Sequence, residues 1–202
     1  MDFTRSLALF TRIFVYFDLP NPIRSPANGQ KPDVTDADIR YEHVVFSYDP
    51  DKPLLTDIDF TVPGGKMYAI VGPSGSGKST VVNFLPRLYD VLGGRVTIAG
   101  VDVRDFDLSY LREQIGVVTQ DSYLFNVTIR ENLLYAKDDA TPEEIDAACY
   151  IAKLSDFIAS QPDGLDTMVG NRGLKLSGGE KQRISIARVI LKDPKIDRNS
   201  VV

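Results

Sequence analysis

The residues best suited to chemistry lie between Gly72 and Thr80, where glycines, a lysine and hydroxyl side chains follow one another. The stretch reads Gly72-Pro73-Ser74-Gly75-Ser76-Gly77-Lys78-Ser79-Thr80 and fits the pattern G-x-x-x-x-G-K-[ST] at every fixed position. Its glycines allow a loop whose N–H groups point at a phosphate chain. Lys78 would then place its charge at the β- and γ-phosphates, and Ser79 would offer a hydroxyl ligand to Mg²⁺.

The residues on either side of this phosphate loop predict the context that the pattern needs. Residues 67–71 have the apolar character of a short buried strand, and residues 80–85 that of a helix. A strand, a glycine loop and a helix in this order make a phosphate-binding unit, and the helix N-terminus adds a partial positive charge. The alternative is a plain glycine turn, which leaves the lysine and hydroxyl positions unexplained.

A second glycine-containing stretch comes much later, at Leu176-Ser177-Gly178-Gly179-Glu180-Lys181-Gln182. It precedes a predicted helix from about Glu180 to Leu191. Ser177 and Glu180 have the spacing of a capping box, which predicts a capped helix with a glycine turn. The same backbone could also offer N–H groups to a phosphate. These residues alone leave both interpretations open.

Composition indicates one soluble α/β domain. The chain has 202 residues, of which 43% are hydrophobic and 25% are charged. A net charge of -5 argues against a nucleic-acid partner. The single Cys149 allows no disulfide within the chain and fits a reducing compartment. The apolar stretch from Leu7 to Phe17 contains Arg12 and is shorter than the roughly 20 residues of a membrane span, and no signal peptide is visible.

The first residues predict an amphipathic helix, because apolar side chains recur on one face at Phe3, Leu7, Phe10, Phe14 and Phe17. The helix either packs on its own domain or forms the end of a longer helix. A linker rich in proline follows, at Pro20, Pro22, Pro26 and Pro32. We therefore expect the folded domain to begin near Asp38.

The middle of the chain predicts an antiparallel β unit followed by helices. Strands are expected over 39–48 and 55–62, joined by a turn at 49–51, and another over 95–98. A brief helix at 110–114 precedes a buried strand at 115–119. From there to about Ala159 the pattern is helical, and Pro142 marks one helix start. This block is expected to be a helical subdomain inserted into the α/β core.

The phosphate loop together with the Leu-Ser-Gly-Gly-Glu-Lys-Gln stretch resembles the ATP-binding cassette, the nucleotide-binding domain of ABC transporters. The resemblance covers about Asp38 to Lys195. It implies a P-loop NTPase core of α/β class, with an N-terminal antiparallel β subdomain and an inserted α-helical subdomain. Residues 124–133 and 169–173 resemble exporter segments, although Asn171 stands where exporters usually have Glu.

The resemblance also implies roles for single residues, with ATP and Mg²⁺ as cofactors. Tyr48 is similar to the aromatic residue that stacks on adenine, and Gln120 to the Q-loop glutamine. Alone, either could be an ordinary strand residue, and their order around the two motifs favours the functional interpretation. Lys78, Ser79 and Gln120 would hold phosphate and Mg²⁺. The signature residues that would contact nucleotide held by a second cassette, in a head-to-tail dimer, are Leu176, Ser177, Gly178, Gly179, Glu180 and Gln182.

The N-terminal segment resembles the end of an exporter's last transmembrane helix and its linker. The implied division is 1–37 for helix and linker, 38–196 for the cassette, and 197–202 for a tail outside the family pattern. A transmembrane domain is thus an expected partner, at the cytoplasmic face of the cell membrane. The chain by itself is expected to be soluble in the cytoplasm.

The last residues depart from the family pattern. The family has an apolar strand ending in Asp-Glu and later a histidine, whereas this chain has Asp197 directly after Ile196 and a polar sequence beyond. Asp197 is therefore not expected to end a buried strand or to support Mg²⁺. The only histidine, His43, lies in an early strand and is interpreted as structural. We expect the C-terminal part of the core to be missing, and the chain to bind ATP but hydrolyse it poorly.

Three functions remain open at this stage. The leading one is the ATPase domain of an ABC exporter. The second is a catalytically inactive ATP-binding module that pairs with an intact cassette. The third is a soluble ABC protein outside transport, against which the amphipathic start, the exporter-like segments and the acidic composition argue. An importer is less favoured, because importer cassettes are usually separate chains without such an N-terminal helix and linker.

Overall fold

The fold is described from a computed structural model, which covers residues 3–119, 122–173 and 175–199, without the side chains of 3–9, 172 and 197–199. The helices are α1 Phe3–Phe17, α2 Lys78–Asn83, α3 Leu108–Glu113, α4 Ile129–Leu134, α5 Pro142–Ile151, α6 Ser155–Ser160 and α7 Gly178–Lys192. The strands are β1 Ile39–Phe46, β2 Leu55–Val62, β3 Gly93–Ile98, β4 Val101–Asp102, β5 Ile115–Val118 and β6 Ile196–Asn199.

One hydrophobic core lies against an antiparallel sheet with the strand order β2-β1-β3-β4. Strand β1 pairs with β2 and β3, and its residues Tyr41, Val44 and Phe46 are buried. Helix α2 packs on this core through Val81, which is followed by the fully buried Phe84. The predicted β hairpin is therefore confirmed, and it forms the wall against which the phosphate-loop helix rests.

A second core belongs to the helices α4 to α7. Ile129, Leu133, Leu154 and Ile184 are fully buried in it, and Ile129 and Leu133 lie four residues apart on one face of α4. Helices α4, α5 and α7 each begin with a capping box, in which a Thr or Ser side chain and a Glu side chain satisfy free N–H groups. The predicted helical subdomain is thus confirmed.

Strands β5 and β6 form a parallel pair, so the chain also contains the parallel element of an α/β fold. Lys192 at the end of α7 donates to the carbonyls of Arg112 and Ile115 at 2.7 and 2.8 Å. Burial lowers the pKa of this lysine. The helical unit is therefore fastened to the start of β5.

The expected strand over 67–71 is absent from the structure, although the segment is apolar. Met67 is 99% and Val71 is 87% exposed, and the segment lies outside any strand. A strand exists only where a neighbour completes its ladder of hydrogen bonds. The described sheets, β2-β1-β3-β4 and β5-β6, provide no neighbour for it.

The sequence did not predict strand β6, in which Asp197 is the second residue and not the last. Ile196 donates from its N–H to the carbonyl of Gln114 at 2.9 Å, and β6 runs in register with β5 through Asn199. Pairing with β5 sets the extended backbone here, so a polar sequence forms a strand despite its composition.

The packed unit extends further toward the N-terminus than the boundary expected near Asp38. Val34 is 1% exposed within the first core. Residues 21–34, which we call the strap, follow the surface of the segment 104–110 by hydrogen bonds rather than forming a free linker. Core side chains bind two backbone carbonyls of the strap, since Tyr110 donates to that of Pro32 and Arg87 to that of Arg24.

Candidate nucleotide site

The phosphate loop turns through glycines with left-handed backbone. Gly75 and Gly77 have φ angles of 80° and 86°, which residues with a Cβ atom rarely adopt. Gly77 is also the N-cap of α2, and a Cβ atom there would lie 2.8 Å from the Cδ2 atom of Leu55. The loop therefore needs glycine both for its backbone and for its contact with β2.

Lys78 closes the loop on itself. Its Nζ atom donates to the carbonyls of Gly72 and Pro73, each at 2.8 Å. The lysine charge is thus held at the mouth of the loop by two neutral acceptors, which a phosphate group can replace. Loop N–H groups, the lysine ammonium and the exposed Ser79 hydroxyl fit the phosphates of a nucleotide.

Tyr48 lies beside the phosphate loop. Its hydroxyl lies 3.0 Å from the Oγ1 atom of Thr80, and its ring makes edge contacts with Phe46 and Tyr89. The ring is 58% exposed, so a face remains free for an aromatic base. This position fits the adenine-stacking role, which remains a prediction.

An apolar groove of about 360 Å³ runs between β2 and the loop. Leu55, Ile58 and Phe60 form one wall, and residues 70–73 form the other, with Ser76 and Lys78 at the end. The sequence did not reveal this groove, because residues 67–71 were expected to form a strand and instead lie outside any sheet, where Ile70 and Val71 line the groove.

The signature residues begin α7 in the helical unit. Ser177 is the N-cap, its Oγ atom accepts from the N–H of Glu180 at 3.3 Å, and its own N–H donates to the Glu180 carboxylate at 2.7 Å. Leu176 is buried, whereas Ser177, Gly178 and Gly179 are exposed. A Cβ atom on Gly178 would meet nothing within 4 Å. This open backbone faces outward from the helical unit α4 to α7, which we call the helical lobe; the unit around the first core is the other lobe.

The phosphate loop and the signature stretch pack on different cores. Leu55 and Val81 beside the loop belong to the first core, and Leu176 and Ile184 belong to the second. Gln120, the expected Q-loop glutamine and second Mg²⁺ ligand, lies outside the described residues, as does the tail 200–202. The phosphate loop and the signature stretch therefore belong to separate packed units of the chain.

Sequence reasoning missed the link between the exporter-like segment and the signature helix. Asn132 is fully buried, and its amide is hydrogen-bonded to both backbone groups of Phe125 and to the Thr128 carbonyl. Arg188 of α7 donates to the Asn132 carbonyl at 2.7 Å, to its side-chain oxygen and to the Tyr123 carbonyl at 2.9 Å. Burial lowers the pKa of Arg188. The sequence signal for this link was an asparagine at a position of α4 that the apolar pattern places on the buried face.

Comparison with known proteins decides the family. The ABC transporter family profile matches residues 55–197, most of the chain. The chain belongs to the ABC transporter family. The heavy metal tolerance protein of Schizosaccharomyces pombe is 50% identical over 90% of this chain. The mitochondrial iron-sulfur clusters transporter atm1 of Aspergillus fumigatus is 52% identical over 79% of it.

A solved ABC transporter shows the same fold. The structure of a bacterial Atm1-family ABC exporter with ATP bound superposes with a TM-score of 0.90 at 43% identity, over 96% of this chain. The chain spans 22% of the length of each of the two curated relatives and 34% of that exporter chain. The P-loop NTPase fold is confirmed, and the chain contains part of the ATP-binding domain of an exporter-type ABC transporter. No helix among the described residues is long and apolar enough to cross a membrane.

Proposed function

We propose that this chain binds Mg-ATP at Gly72–Thr80 as the nucleotide-binding part of an ABC exporter. The observation that carries the proposal is the loop itself, with left-handed Gly75 and Gly77 and with Lys78 bonded to two carbonyls that a phosphate can replace. Tyr48 would stack on the base. Ser79 and Gln120 would hold Mg²⁺, which neutralises phosphate charge when bound.

The partner that completes this site is a second cassette. The signature stretch lies on the helical lobe, and its exposed Ser177, Gly178 and Gly179 leave room for a phosphate held by another chain. The Ser177 N-cap places the start of α7, a helix of 15 residues, at this surface. A head-to-tail arrangement would therefore place one nucleotide between the loop of one copy and the signature of the other.

The second partner is a transmembrane domain. Tyr123, Phe125 and Tyr135 form a cluster with ring centroids 5.5 and 4.6 Å apart, and all three rings are exposed. Helix α1 likewise exposes Phe10, Phe14 and other apolar residues. Exposed aromatic clusters of this kind mark interaction surfaces. We infer that both surfaces contact the membrane part of an exporter at the cytoplasmic face of the membrane.

We infer that the chain alone hydrolyses ATP slowly. The described residues that line the groove beside the loop are apolar apart from Ser76 and Lys78, and none of them is a carboxylate. Phosphoryl transfer needs a group that orients the attacking water as well as the phosphate cradle. This same observation favours the second candidate, an inactive ATP-binding module that lends its signature residues to an intact cassette.

A thermal melt with and without Mg-ATP tests the binding proposal, with Lys78→Ala as the matched variant. A ligand that binds only the folded state raises the melting temperature. We expect ATP to raise it for the wild type and to leave the variant unchanged. Equal responses of the two proteins would contradict binding at this loop.

Phosphate release in the same samples separates the two candidate functions. We expect release by the wild type to match that of Lys78→Ala. Addition of an intact cassette that lacks its own signature serine should restore turnover if the chain acts as a partner module. Rapid release by the wild type alone would contradict the inference of slow hydrolysis.

A further inference from the structure

The strap, residues 21–34, is hydrogen-bonded to residues 105–110 at the surface of the first core. The Ser25 hydroxyl accepts from the N–H of Leu108, the first residue of α3, at 2.8 Å. Gln30 is bonded on both sides, since its N–H donates to the Asp105 carbonyl and its carbonyl accepts from the Asp107 N–H, at 2.8 and 2.9 Å. The Tyr110 hydroxyl donates to the Pro32 carbonyl at 2.7 Å.

The strap lies so close to Asp107 that no side chain fits at Gly29. A Cβ atom there would lie 2.5 Å from both the Cα and the N atom of Asp107. These are backbone atoms and cannot move aside as a flexible side chain would. The strap is therefore packed directly against the backbone that begins α3.

Arg87 joins the strap to the phosphate-loop helix. It lies in the turn that ends α2, where its N–H donates to the Phe84 carbonyl at 3.0 Å. Its guanidinium forms a fork with the Asp90 carboxylate at 2.7 and 3.1 Å and donates to the carbonyls of Arg24 and Arg104 at 3.1 and 3.2 Å. The side chain is 8% exposed, so the strap and the core together enclose this charge.

The same turn is held from the opposite side. Arg112 of α3 donates to the carbonyls of Pro86 and Arg87, each at 3.1 Å. Arg87 has a φ angle of 51°, a strained value for a residue with a side chain that the surrounding contacts must maintain. The strap, α3 and the end of α2 thus form one hydrogen-bonded unit.

We propose that the strap is a positioning element of the nucleotide site and that Arg87 is its positioning residue. By fixing the turn that ends α2, the strap fixes the helix whose first residue is Lys78. Only residues 18–20 separate α1 from the strap. A displacement of α1 should therefore move the strap, and with it the helix that begins at Lys78. The effect on nucleotide rests on the proposed function, whereas the effect on α2 does not.

Gly29→Ala in the full chain tests the proposal, because its Cβ atom lifts the strap from Asp107. Asn28→Ala, at the neighbouring exposed position, is the matched control. Hydrogen exchange without nucleotide should become faster in α3 and α2 for Gly29→Ala and remain that of the wild type for Asn28→Ala. The dissociation constant for Mg-ATP should rise about tenfold for Gly29→Ala, as expected for a displaced binding group.

Arg87→Lys provides an independent variant. Lysine keeps the charge but cannot contact both Asp90 oxygens and both carbonyls at once. We expect faster exchange in α2 and the same loss of Mg-ATP affinity. Ser25→Ala removes the hydroxyl that accepts from Leu108 without adding an atom. Should Gly29→Ala fail to fold, faster hydrogen exchange in α3 and α2 of Ser25→Ala is the expected result, and unchanged exchange in α2 would overturn the proposal.

The outcomes distinguish the strap proposal from the proposed function. Faster exchange at α3 with unchanged exchange at α2 and unchanged affinity would overturn the role of the strap. A wild type that binds Mg-ATP no better than Lys78→Ala would overturn nucleotide binding, and exchange in α2 would then decide the strap alone. Effects of equal size from Asn28→Ala would also overturn the proposal.

Discussion

At the scale of single residues, His43 shows how backbone strain and charge combine in this fold. It occupies the bulge of β1 with a φ angle of 49°, and its Nδ1 atom lies 2.8 Å from the Oδ1 atom of Asp57. Asp59 lies 3.9 Å from its Nε2 atom. The hydrogen bond to Asp57 and the charges of both aspartates raise the pKa of His43. The sequence analysis interpreted His43 as structural, and its contacts with Asp57 and Asp59 agree with that interpretation.

The stability that His43 provides should depend on pH. Because its pKa is raised in the folded state, its contribution is complete below the unfolded pKa of about 6.5 and disappears as the pH rises through the folded value. We expect the wild type to melt above His43→Asn in weakly acidic solution and the difference to shrink toward neutral and alkaline pH. Asn tolerates the positive φ angle, so the variant isolates the charge. Asp57→Asn should reduce the pH dependence, and an unchanged difference across the range would contradict this account.

The residues of the nucleotide loop were predictable because the spacing of Gly72, Gly77 and Lys78 has a direct chemical meaning. The contacts of Arg87 were not, because its partners Arg24 and Arg104 are far away in sequence and act through backbone carbonyls. Carbonyl groups are the same in every residue. A side chain that binds them leaves no sign in the sequence of its partner.

At the scale of elements, a buried polar contact joins α4 to α7. Asn132 and Arg188 are both polar in a region that is otherwise apolar, and each satisfies the other. Arg188 has neutral acceptors rather than a carboxylate, and its guanidinium lies 5.8 Å from the centre of the Phe125 ring. The signature helix and the exporter-like segment should therefore move together.

Asn132→Ala should destabilise the protein strongly. It removes the side-chain acceptor of Arg188 and leaves the backbone groups of Phe125 without their partner in a buried site, which we expect to cost about 3 kcal/mol. Arg130→Ala on the same helix removes only an exposed pair with Asp166 and should cost at most about 1 kcal/mol. Denaturant unfolding of both variants measures the difference. Equal losses would show that the Asn132 contacts contribute no more than a surface pair.

The elements also show where sequence patterns stop being sufficient. Helices α5 and α7 were predictable, since Thr141, Pro142, Ser177 and Glu180 provide local start signals. The strand expected at residues 67–71 is absent, and β6 forms where the sequence predicted no strand. An apolar segment lacks a neighbour and stays out of a sheet, while a polar one gains its place by pairing with β5. Strand formation depends on a partner that the local sequence does not specify.

At the scale of the whole molecule, the two stretches proposed to bind nucleotide pack on separate hydrophobic cores. One lobe carries the phosphate loop, and the other carries the exposed signature stretch. The proposed nucleotide site would be complete only when two chains combine. The fold class could be predicted from the motifs, but the separation of the cores became visible only from the burial of residues such as Leu55 and Ile184.

Pairing of two chains can be separated from helix stability by two matched variants. Ser177→Ala and Thr141→Ala each remove the N-cap hydroxyl of a capping box, and each should cost about 1 kcal/mol of stability. Only Ser177→Ala should weaken dimer formation in Mg-ATP, since Thr141 lies at the start of α5. Sedimentation of both variants with and without Mg-ATP provides the comparison. A dimer weakened equally by the two changes would contradict the trans-contact assigned to Ser177.

The exposed backbone at 67–71 makes this segment the natural entry point for a protease. Proteases bind their substrates as extended chains, and a segment outside any ladder needs no unfolding before it can be bound. Tyr68 is 54% exposed there and offers an aromatic residue for cleavage. A cut at this point would divide the chain between β2 and the phosphate loop, yet the β1–β3 ladder would still hold the two fragments together. Bound nucleotide, by ordering the adjoining loop, would protect the bond.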